Sequence, residues 1–349
     1  MTPLHPFNAN ASGSSQSADK RKHALVVAVI LLSFFSIVLG IAIGSTGLES
    51  LMQAVNDPVA LKIILDIRLP RTLGAWLAGA LLGLAGALAQ GLFRNPLADP
   101  YMLGSASGAS LGVALVLMFY GYSTEASSWA FKLGLSGAAF LGALASVGLT
   151  LILSRGVQHT FRLLLAGIIV GVVLGALTSL TTLFDPSIIQ SMQSFLLGTT
   201  SFINWGSVRI MLVALMICLT LTWTLSKALD ALSLGESTAS SLGINLSTLR
   251  IALIAALALA TGVAVAETGL IAFVGLAAPH LVRSLVKVTH NWLVLLSSLM
   301  GGLLLLSADL VARILTAPGE LPVGLFTAVI GGIYLLRLMH GQNTRHEGK

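Results

Sequence analysis

Residues 72–93 read TLGAWLAGALLGLAGALAQGLF, an uncharged run made mostly of glycine, alanine and leucine. A transmembrane helix needs about 20 mainly apolar residues, because each residue rises ~1.5 Å through a hydrocarbon core about 30 Å thick. The stretch is therefore long enough to cross a bilayer as one helix. Its many small residues are typical of helices that approach one another closely inside a membrane.

Comparable apolar stretches recur along the whole chain. Hydrophobic residues make up 56% and charged residues 9% of the 349 residues, and the mean hydropathy is +0.93. A soluble domain carries about 25% charged residues. The sequence therefore predicts an all-α polytopic membrane protein with about ten transmembrane helices and no large soluble domain. The other predicted spans lie near 24–48, 101–120, 133–154, 163–184, 204–226, 251–266, 268–286, 292–311 and 321–338.

The two ends of the chain are more polar than its centre. Residues 1–23 are rich in serine and asparagine and end in Lys20-Arg21-Lys22, which predicts a disordered cytoplasmic tail. A cleaved signal peptide is the alternative, but the following apolar run is longer than a typical signal-peptide core and no small-residue cleavage site follows it. We expect one transmembrane domain over 24–340 and a cytoplasmic tail over 341–349.

Lysine and arginine set the predicted orientation, because cytoplasmic loops carry an excess of both. With ten spans and the N-terminus inside, thirteen of the 19 Lys and Arg residues fall on the cytoplasmic side and six fall outside. This distribution favours cytoplasmic N- and C-termini. The outer six are Lys62, Arg68, Arg71, Lys132, Arg209 and Arg313.

Three of the outer arginines stand at span ends on the side that should be poor in positive charge. Arg68 and Arg71 flank Pro70, and proline is tolerated at a helix start. Arg313 follows Asp309 at the i,i+4 spacing of a local ion pair, which would weaken Arg313 as a docking charge. Two interpretations stay open: arginines that reach lipid phosphates, and a basic patch that binds an acidic partner.

One cytoplasmic connection is long for so compact a chain. It is residues 230–245, DALSLGESTASSLGIN, between the sixth and seventh spans. Gly235 and Gly243 interrupt it, and residues 237–242 favour a short helix between them. The connection is either an ordinary amphipathic surface loop or a docking element for a cytoplasmic subunit.

Polar residues within the spans are few. Gln90, Asn95, Glu267 and Asp309 lie near span ends, and no carboxylate stands at mid-membrane with a partner. Ion-coupled carriers usually need such groups, or broken helices with coordinating carbonyls. The pattern therefore argues against ion coupling. It also presents no clustered catalytic residues and no metal motif, so we assign neither a catalytic nor a metal site.

A series of motifs runs in order over most of the chain. They are RLPR at 68–71, GALAQ at 86–90, FRNPLADP at 93–100, RLLLAG at 162–167, LGE at 234–236 with LG at 242–243, FVGLAAPHLVR at 273–283 and ELPVG at 320–324. Together they resemble the permease subunit of type II ABC importers, the FecCD-type family that takes up iron siderophores, haem and vitamin B12.

The resemblance implies a fold and a set of partners. Family members have ten helices, with the second-to-fifth and seventh-to-tenth spans as two pseudo-symmetric halves, and pair as homodimers or close heterodimers around one pathway. Two cytoplasmic ATP-binding subunits and a periplasmic substrate-binding protein complete the assembly. The implied sites are binding-protein docking at Arg68, Arg71 and Arg313; ATPase coupling at Leu234, Gly235, Glu236, Leu242 and Gly243; and a cytoplasmic gate at His159, Thr160 and Phe161.

ATP hydrolysis must come from another polypeptide if transport is ATP-driven, because the chain contains no Gly-x4-Gly-Lys-Ser/Thr phosphate loop. We therefore expect a transport subunit rather than an enzyme, with no permanently bound cofactor. The resemblance implies a location in the lipid of a bacterial inner membrane. The net charge of +6 is scattered over span ends, so it gives no sign of nucleic-acid binding.

Three function classes follow from these observations. The first is a permease subunit that moves an iron complex from periplasm to cytoplasm, haem first and siderophore next, with vitamin B12 as the alternative within the family. The preference for haem rests on His159 and Phe161 at the implied gate, although a histidine there also has the plain interpretation of facing water. The second class is an ion-coupled secondary transporter, and the third is a polytopic membrane enzyme.

Overall fold

The computed structural model describes residues 10–42, 57–120, 129–154, 156–157, 160–315 and 319–346. Within these residues the chain forms helices and connecting turns, with no strand. The α-helices are α1 (Asn10–Ala42), α2 (Pro58–Ile63), α3 (Leu69–Phe93), α4 (Ser105–Tyr120), α5 (Trp129–Leu153), α6 (Thr160–Phe184), α7 (Ile189–Leu197), α8 (Trp205–Ser233), α9 (Glu236–Ser241), α10 (Leu246–Thr268), α11 (Val274–Leu285), α12 (His290–Leu315) and α13 (Val323–His346).

The all-α membrane fold is confirmed, and each predicted span overlaps a helix. Among the described residues, seven helices are long and apolar enough to cross a membrane. One of them is the continuous run Pro58–Phe93, in which α2 and α3 are joined by a π-helical turn at Ile64–Arg68. The remaining predicted spans overlap α4, α11 and α13, of which α4 has 16 residues and α11 has 12.

The eighth predicted span differs most from the structure. Residues 268–286 were expected to form one helix, but α10 continues to Thr268 and α11 begins only at Val274. Between them the backbone bonds to another segment, since Leu270 N–H donates to the Phe195 carbonyl at 2.9 Å. Gly269 and Phe273 both adopt positive φ, at +69° and +68°. The two helices were predicted as separate spans, but their break lies at 269–273 and not at the predicted residue 267.

The predicted tails also differ from the structure. Residues 10–23, expected to be disordered, form the beginning of α1, and residues 1–9 lie outside the described part of the chain. No proline interrupts residues 10–42, so the backbone hydrogen bonding of the apolar part continues towards the N-terminus. In the same way α13 extends to His346, into the predicted C-terminal tail.

The core is organised around α3, which is buried along almost its whole length. It packs most extensively on α12, and further on α8, α10 and α11. Glycines make the α3–α12 contact close: a Cβ added to Gly79 would lie 2.3 Å from the Gly301 carbonyl oxygen, and one added to Gly301 would lie 2.2 Å from that of Gly79. Such distances are the signature of small-residue packing between membrane helices.

The packing follows the two predicted halves, α3–α6 and α10–α13. In this pairing α3, α4, α5 and α6 correspond in order to α10, α11, α12 and α13. The α3–α12 contact is then matched by the α10–α5 contact, and the α3–α11 contact by the α10–α4 contact. Within the halves, α4 packs on α5 and α6 as α11 packs on α12 and α13. Exchanging the halves thus preserves the contact pattern, as expected for two pseudo-symmetric units.

Candidate functional site

The connection at residues 230–245 folds into a short helix bracketed by two glycines. The predicted helix over 237–242 is confirmed, displaced by one residue, as α9. Gly235 precedes it with φ +123° and Gly243 follows it with φ +78°. Both values lie in the region that favours glycine because it has no Cβ. The connection then ends at Asn245, whose side chain caps α10 by accepting from Thr248 N–H at 3.1 Å.

Two large apolar side chains stand out of the surface at the ends of this element. Leu234 is 73% exposed and Leu242 is 65% exposed, whereas Ala239 of α9 is fully buried. One face of α9 therefore packs on the bundle while leucines on both sides of it remain uncovered. Two exposed leucines on one short connection make this element a candidate binding surface. We call Leu234, α9 and Leu242 the coupling element.

Glu236 ties the coupling element to the rest of the chain. Its Oε1 accepts from Arg250 Nη2 at 2.6 Å and from Arg94 Nη2 at 3.2 Å. Arg94 caps the end of α3 with φ +48°, and Arg250 lies in the first turns of α10. The carboxylate of the predicted coupling residue is thus bonded to arginines of its own chain, and the leucines are left as the exposed part of the element.

Hydrogen bonding between Asp230 and His290 fixes the end of α8 beside the coupling element. Asp230 Oδ1 accepts from His290 N–H at 2.9 Å and lies 2.7 Å from His290 Nδ1. This contact places the start of α12 against the end of α8. Nothing in the sequence links Asp230 and His290, which lie 60 positions apart.

Two of the three predicted gate residues, Thr160 and Phe161, lie at the start of α6. Thr160 is the first residue of α6, and Phe161 is 76% exposed; His159 lies outside the described residues. Arg250 Nη1 donates to the Val157 carbonyl at 2.8 Å, and Nη2 lies 3.5 Å from Thr160 Oγ1. The predicted gate and the predicted coupling element therefore share a contact residue that sequence reasoning had not singled out.

At the opposite end of the bundle, acidic residues bring together two of the three outer arginines, Arg71 and Arg313. The Asp309–Arg313 ion pair expected from the i,i+4 spacing is present. Arg71 binds Glu320 at 2.7 Å and Asp309 at 3.4 Å. Arg68 lies on the same helical run and donates to the Ala42 carbonyl at 3.4 Å.

We call Arg68, Arg71, Arg313, Asp309 and Glu320 the outer cluster, and two hydroxyl groups bind its carboxylates. Thr200 Oγ1 donates to Asp309 Oδ1 at 2.5 Å, and Ser201 Oγ donates to Glu320 Oε2 at 2.7 Å. The carboxylates thereby join α3, α12 and the loop before α8.

Burial decides what these arginines do within the chain. The side chains of Arg71 and Arg313 are only 11% and 4% exposed, and that of Asp309 is 1% exposed. The arginines therefore hold helices together, and docking through them requires an exchange of partners. Glu320 is the accessible member of the cluster, at 33%. Burial alone would raise its pKa, but the hydrogen bonds from Arg71 and Ser201, together with the Arg71 charge, hold the pKa below its ordinary value.

Comparison with known proteins places this architecture among transport proteins. The model of the FecCD transport family matches residues 25–341. The chain is 35% identical to the hemin transport system permease protein HmuU of Yersinia pestis, over 93% of this chain and 96% of that protein. It is 36% identical to the ferric enterobactin permease FepD of Escherichia coli K12, over 90% and 94%.

Further similarity extends to a vitamin B12 permease and to a solved structure. The chain is 36% identical to the vitamin B12 import system permease BtuC of Vibrio cholerae, over 81% of this chain and 84% of that protein. It also matches the structure of a metal-chelate type ABC transporter in an inward-facing conformation, with a TM-score of 0.80, 31% identity, and coverage of 91% and 99%.

Proposed function

The chain belongs to the FecCD transport family, and on this premise we propose that it is the membrane-spanning permease subunit of an ATP-driven importer. It moves an iron complex from periplasm to cytoplasm along a pathway at a dimer interface. The chain contains no phosphate-binding loop, so a separate subunit hydrolyses ATP. The chain lies in the bacterial inner membrane with both termini in the cytoplasm, as the distribution of lysine and arginine favours.

The observation that carries this proposal is the coupling element. Leu234 and Leu242 are exposed on either side of a helix that is itself anchored through Glu236. This arrangement suits a cytoplasmic ATPase with an apolar groove, because burial of the leucines stabilises the contact and the anchor transmits force to α3 and α10. Each permease copy takes one ATPase, so a dimer of the chain takes two.

Co-purification tests the ATPase contact. A double change Leu234→Ser and Leu242→Ser removes the apolar side chains while leaving Glu236 and its arginines in place. The variant should reach the membrane in normal amount but retain much less ATPase on purification. As a matched control, Leu285→Ser changes a leucine of similar exposure, 55%, on α11. Equal retention of the ATPase by the double variant and the control would contradict this assignment.

The substrate is proposed to be haem first and a ferric siderophore next, with vitamin B12 as the alternative. The relatives named for hemin, ferric enterobactin and vitamin B12 are 35%, 36% and 36% identical to the chain, so overall identity does not separate the three. Phe161 supports an aromatic or macrocyclic cargo, because its ring is 76% exposed beside the proposed gate. Binding of haem, ferric siderophores and cobalamin to the purified periplasmic partner tests this order.

The periplasmic partner is proposed to dock at the outer cluster. The positive charge there comes from Arg68, Arg71 and Arg313. An incoming carboxylate must compete with Glu320 for Arg71, because the Glu320 carboxylate already lies 2.7 Å from the Arg71 guanidinium. Removal of Glu320 by Glu320→Gln therefore frees a docking charge and should speed association of the binding protein at low salt. Slower or unchanged association would contradict docking through Arg71.

A further inference from the structure

Arg250 is a buried cation near the N-terminal end of α10. Only 3% of the residue is exposed, although it lies in the second turn of α10. A charged group is buried at acceptable cost only when it is paired and hydrogen-bonded. The partners of Arg250 therefore explain its position.

Its guanidinium group contacts two elements that are far apart in sequence. Nη2 binds Glu236 of the coupling element at 2.6 Å and lies 3.5 Å from Thr160 Oγ1, at the start of α6. Nη1 donates to the Val157 carbonyl at 2.8 Å. Val157 is itself buried in the main apolar core, at 5% exposure, so the turn before α6 is held from two sides.

We propose that Arg250 is a positioning residue that transmits movement of the coupling element to the turn before α6. The proposal rests on the proposed function, in which ATPase binding moves the coupling element. A guanidinium is planar and rigid, and its donors point in fixed directions. A displacement of Glu236 must therefore turn or pull the same plane that holds the Val157 carbonyl. A lysine, with one flexible ammonium group, cannot fix both partners in this way.

Arg94 provides an internal comparison. It binds the same Glu236 carboxylate at 3.2 Å, but it is 44% exposed and lies at the end of α3. The described residues show no hydrogen bond from Arg94 to the turn before α6. Loss of Arg94 weakens the anchor of the coupling element, whereas loss of Arg250 breaks its connection to the turn.

The test uses the complete transporter in proteoliposomes, with Arg250→Gln, Arg250→Lys and Arg94→Gln. Two quantities are measured: substrate taken up per ATP hydrolysed, and disulfide cross-linking between copies carrying Phe161→Cys in a Cys218→Ser background. We expect both Arg250 variants to hydrolyse ATP but to lose about tenfold in uptake per ATP. Their cross-linking should no longer depend on nucleotide. Arg94→Gln should retain most of its coupling and the nucleotide dependence.

Arg250→Lys keeps the positive charge, so it still tests the positioning role of Arg250 if the Arg250→Gln transporter fails to assemble. Wild-type uptake per ATP in the lysine variant, or equal loss of coupling in Arg94→Gln, would overturn the role of Arg250 and leave the proposed function intact. A wild-type complex that hydrolyses ATP without any uptake would overturn the proposed function, and the role of Arg250 with it.

Discussion

At the scale of single residues, charge pairing organises both ends of the bundle. Asp309 accepts from Arg313, Arg71 and Thr200 while being almost fully buried. The sequence revealed the Asp309–Arg313 pair because i,i+4 spacing on a helix is a local property. It did not reveal the Arg71–Glu320 pair, since that contact depends on how α3 and the loop after α12 are placed in space.

Removal of Asp309 should be strongly destabilising. The change Asp309→Ala leaves Arg313 and Arg71 buried beside an uncharged methyl group, and breaking a buried pair in this way costs about 3–5 kcal/mol. Glu320→Gln, at the accessible edge of the cluster, serves as the control and should cost far less. Thermal unfolding in detergent measures both, and a Tm for Asp309→Ala within experimental error of the control would refute the account.

Glu320 should make stability depend on pH in the acid range. Its folded-state pKa lies below the ordinary value of 4.5, so its contribution is fully present above that value and is lost as pH falls through the folded-state pKa. The difference in Tm between the wild type and Glu320→Gln should therefore be largest at neutral pH and shrink below about pH 4. A difference that stays constant across this range would show that the Glu320 charge contributes nothing.

At the scale of elements, hydropathy predicts where helices lie but not where they end. Each predicted span overlaps a helix because long apolar runs have few other structures available in a bilayer. The boundary between α10 and α11 was misplaced because Gly269 and Phe273 turn the chain through positive φ without any polar signal. The role of Arg250 was missed for a similar reason, as its partners Glu236 and Val157 belong to other elements.

Gly235 is an element-scale position at which a side chain would strain the backbone of the coupling element. The φ of Gly235 is +123°, a value that side chains rarely allow. An added Cβ would have a single neighbour within 4 Å, Thr238 Oγ1 at 3.8 Å, so the obstacle to a side chain is conformational rather than steric. Gly235→Val should cost about 1–3 kcal/mol in local strain and uncouple ATP hydrolysis from uptake. Gly332→Val on α13 is the control, because Gly332 has no positive φ and an added Cβ there meets nothing within 4 Å. Normal coupling in Gly235→Val would contradict the role of this turn.

The α3–α12 contact gives a second prediction at this scale. Gly79→Ala places a methyl group 2.3 Å from the Gly301 carbonyl oxygen, so the helices must separate, at a cost of about 1–3 kcal/mol. Gly175→Ala on α6, where an added Cβ meets nothing within 4 Å, should be nearly neutral. Size-exclusion profiles and Tm of the two variants compare them directly, and equal stability would contradict close packing at Gly79.

At the scale of the whole molecule, the pseudo-symmetric bundle presents different surfaces at its two ends. One end exposes leucines around an anchored helix, and the other gathers Arg71 and Arg313 around Asp309 and Glu320. The family, the all-α fold and the approximate positions of these sites were accessible from ordered motifs in the sequence. The burial of the arginines and the link from Glu236 to Val157 were not, because both depend on contacts between distant segments.

ATP-driven uptake by the reconstituted transporter tests the central claim most directly. The permease, its ATPase and the loaded periplasmic binding protein are combined in proteoliposomes, and accumulation of haem, a ferric siderophore or cobalamin is followed with time. The account predicts accumulation that requires ATP on the ATPase side and is indifferent to proton or sodium gradients. Uptake by the permease alone in an ion gradient, without ATP or the ATPase, would contradict it.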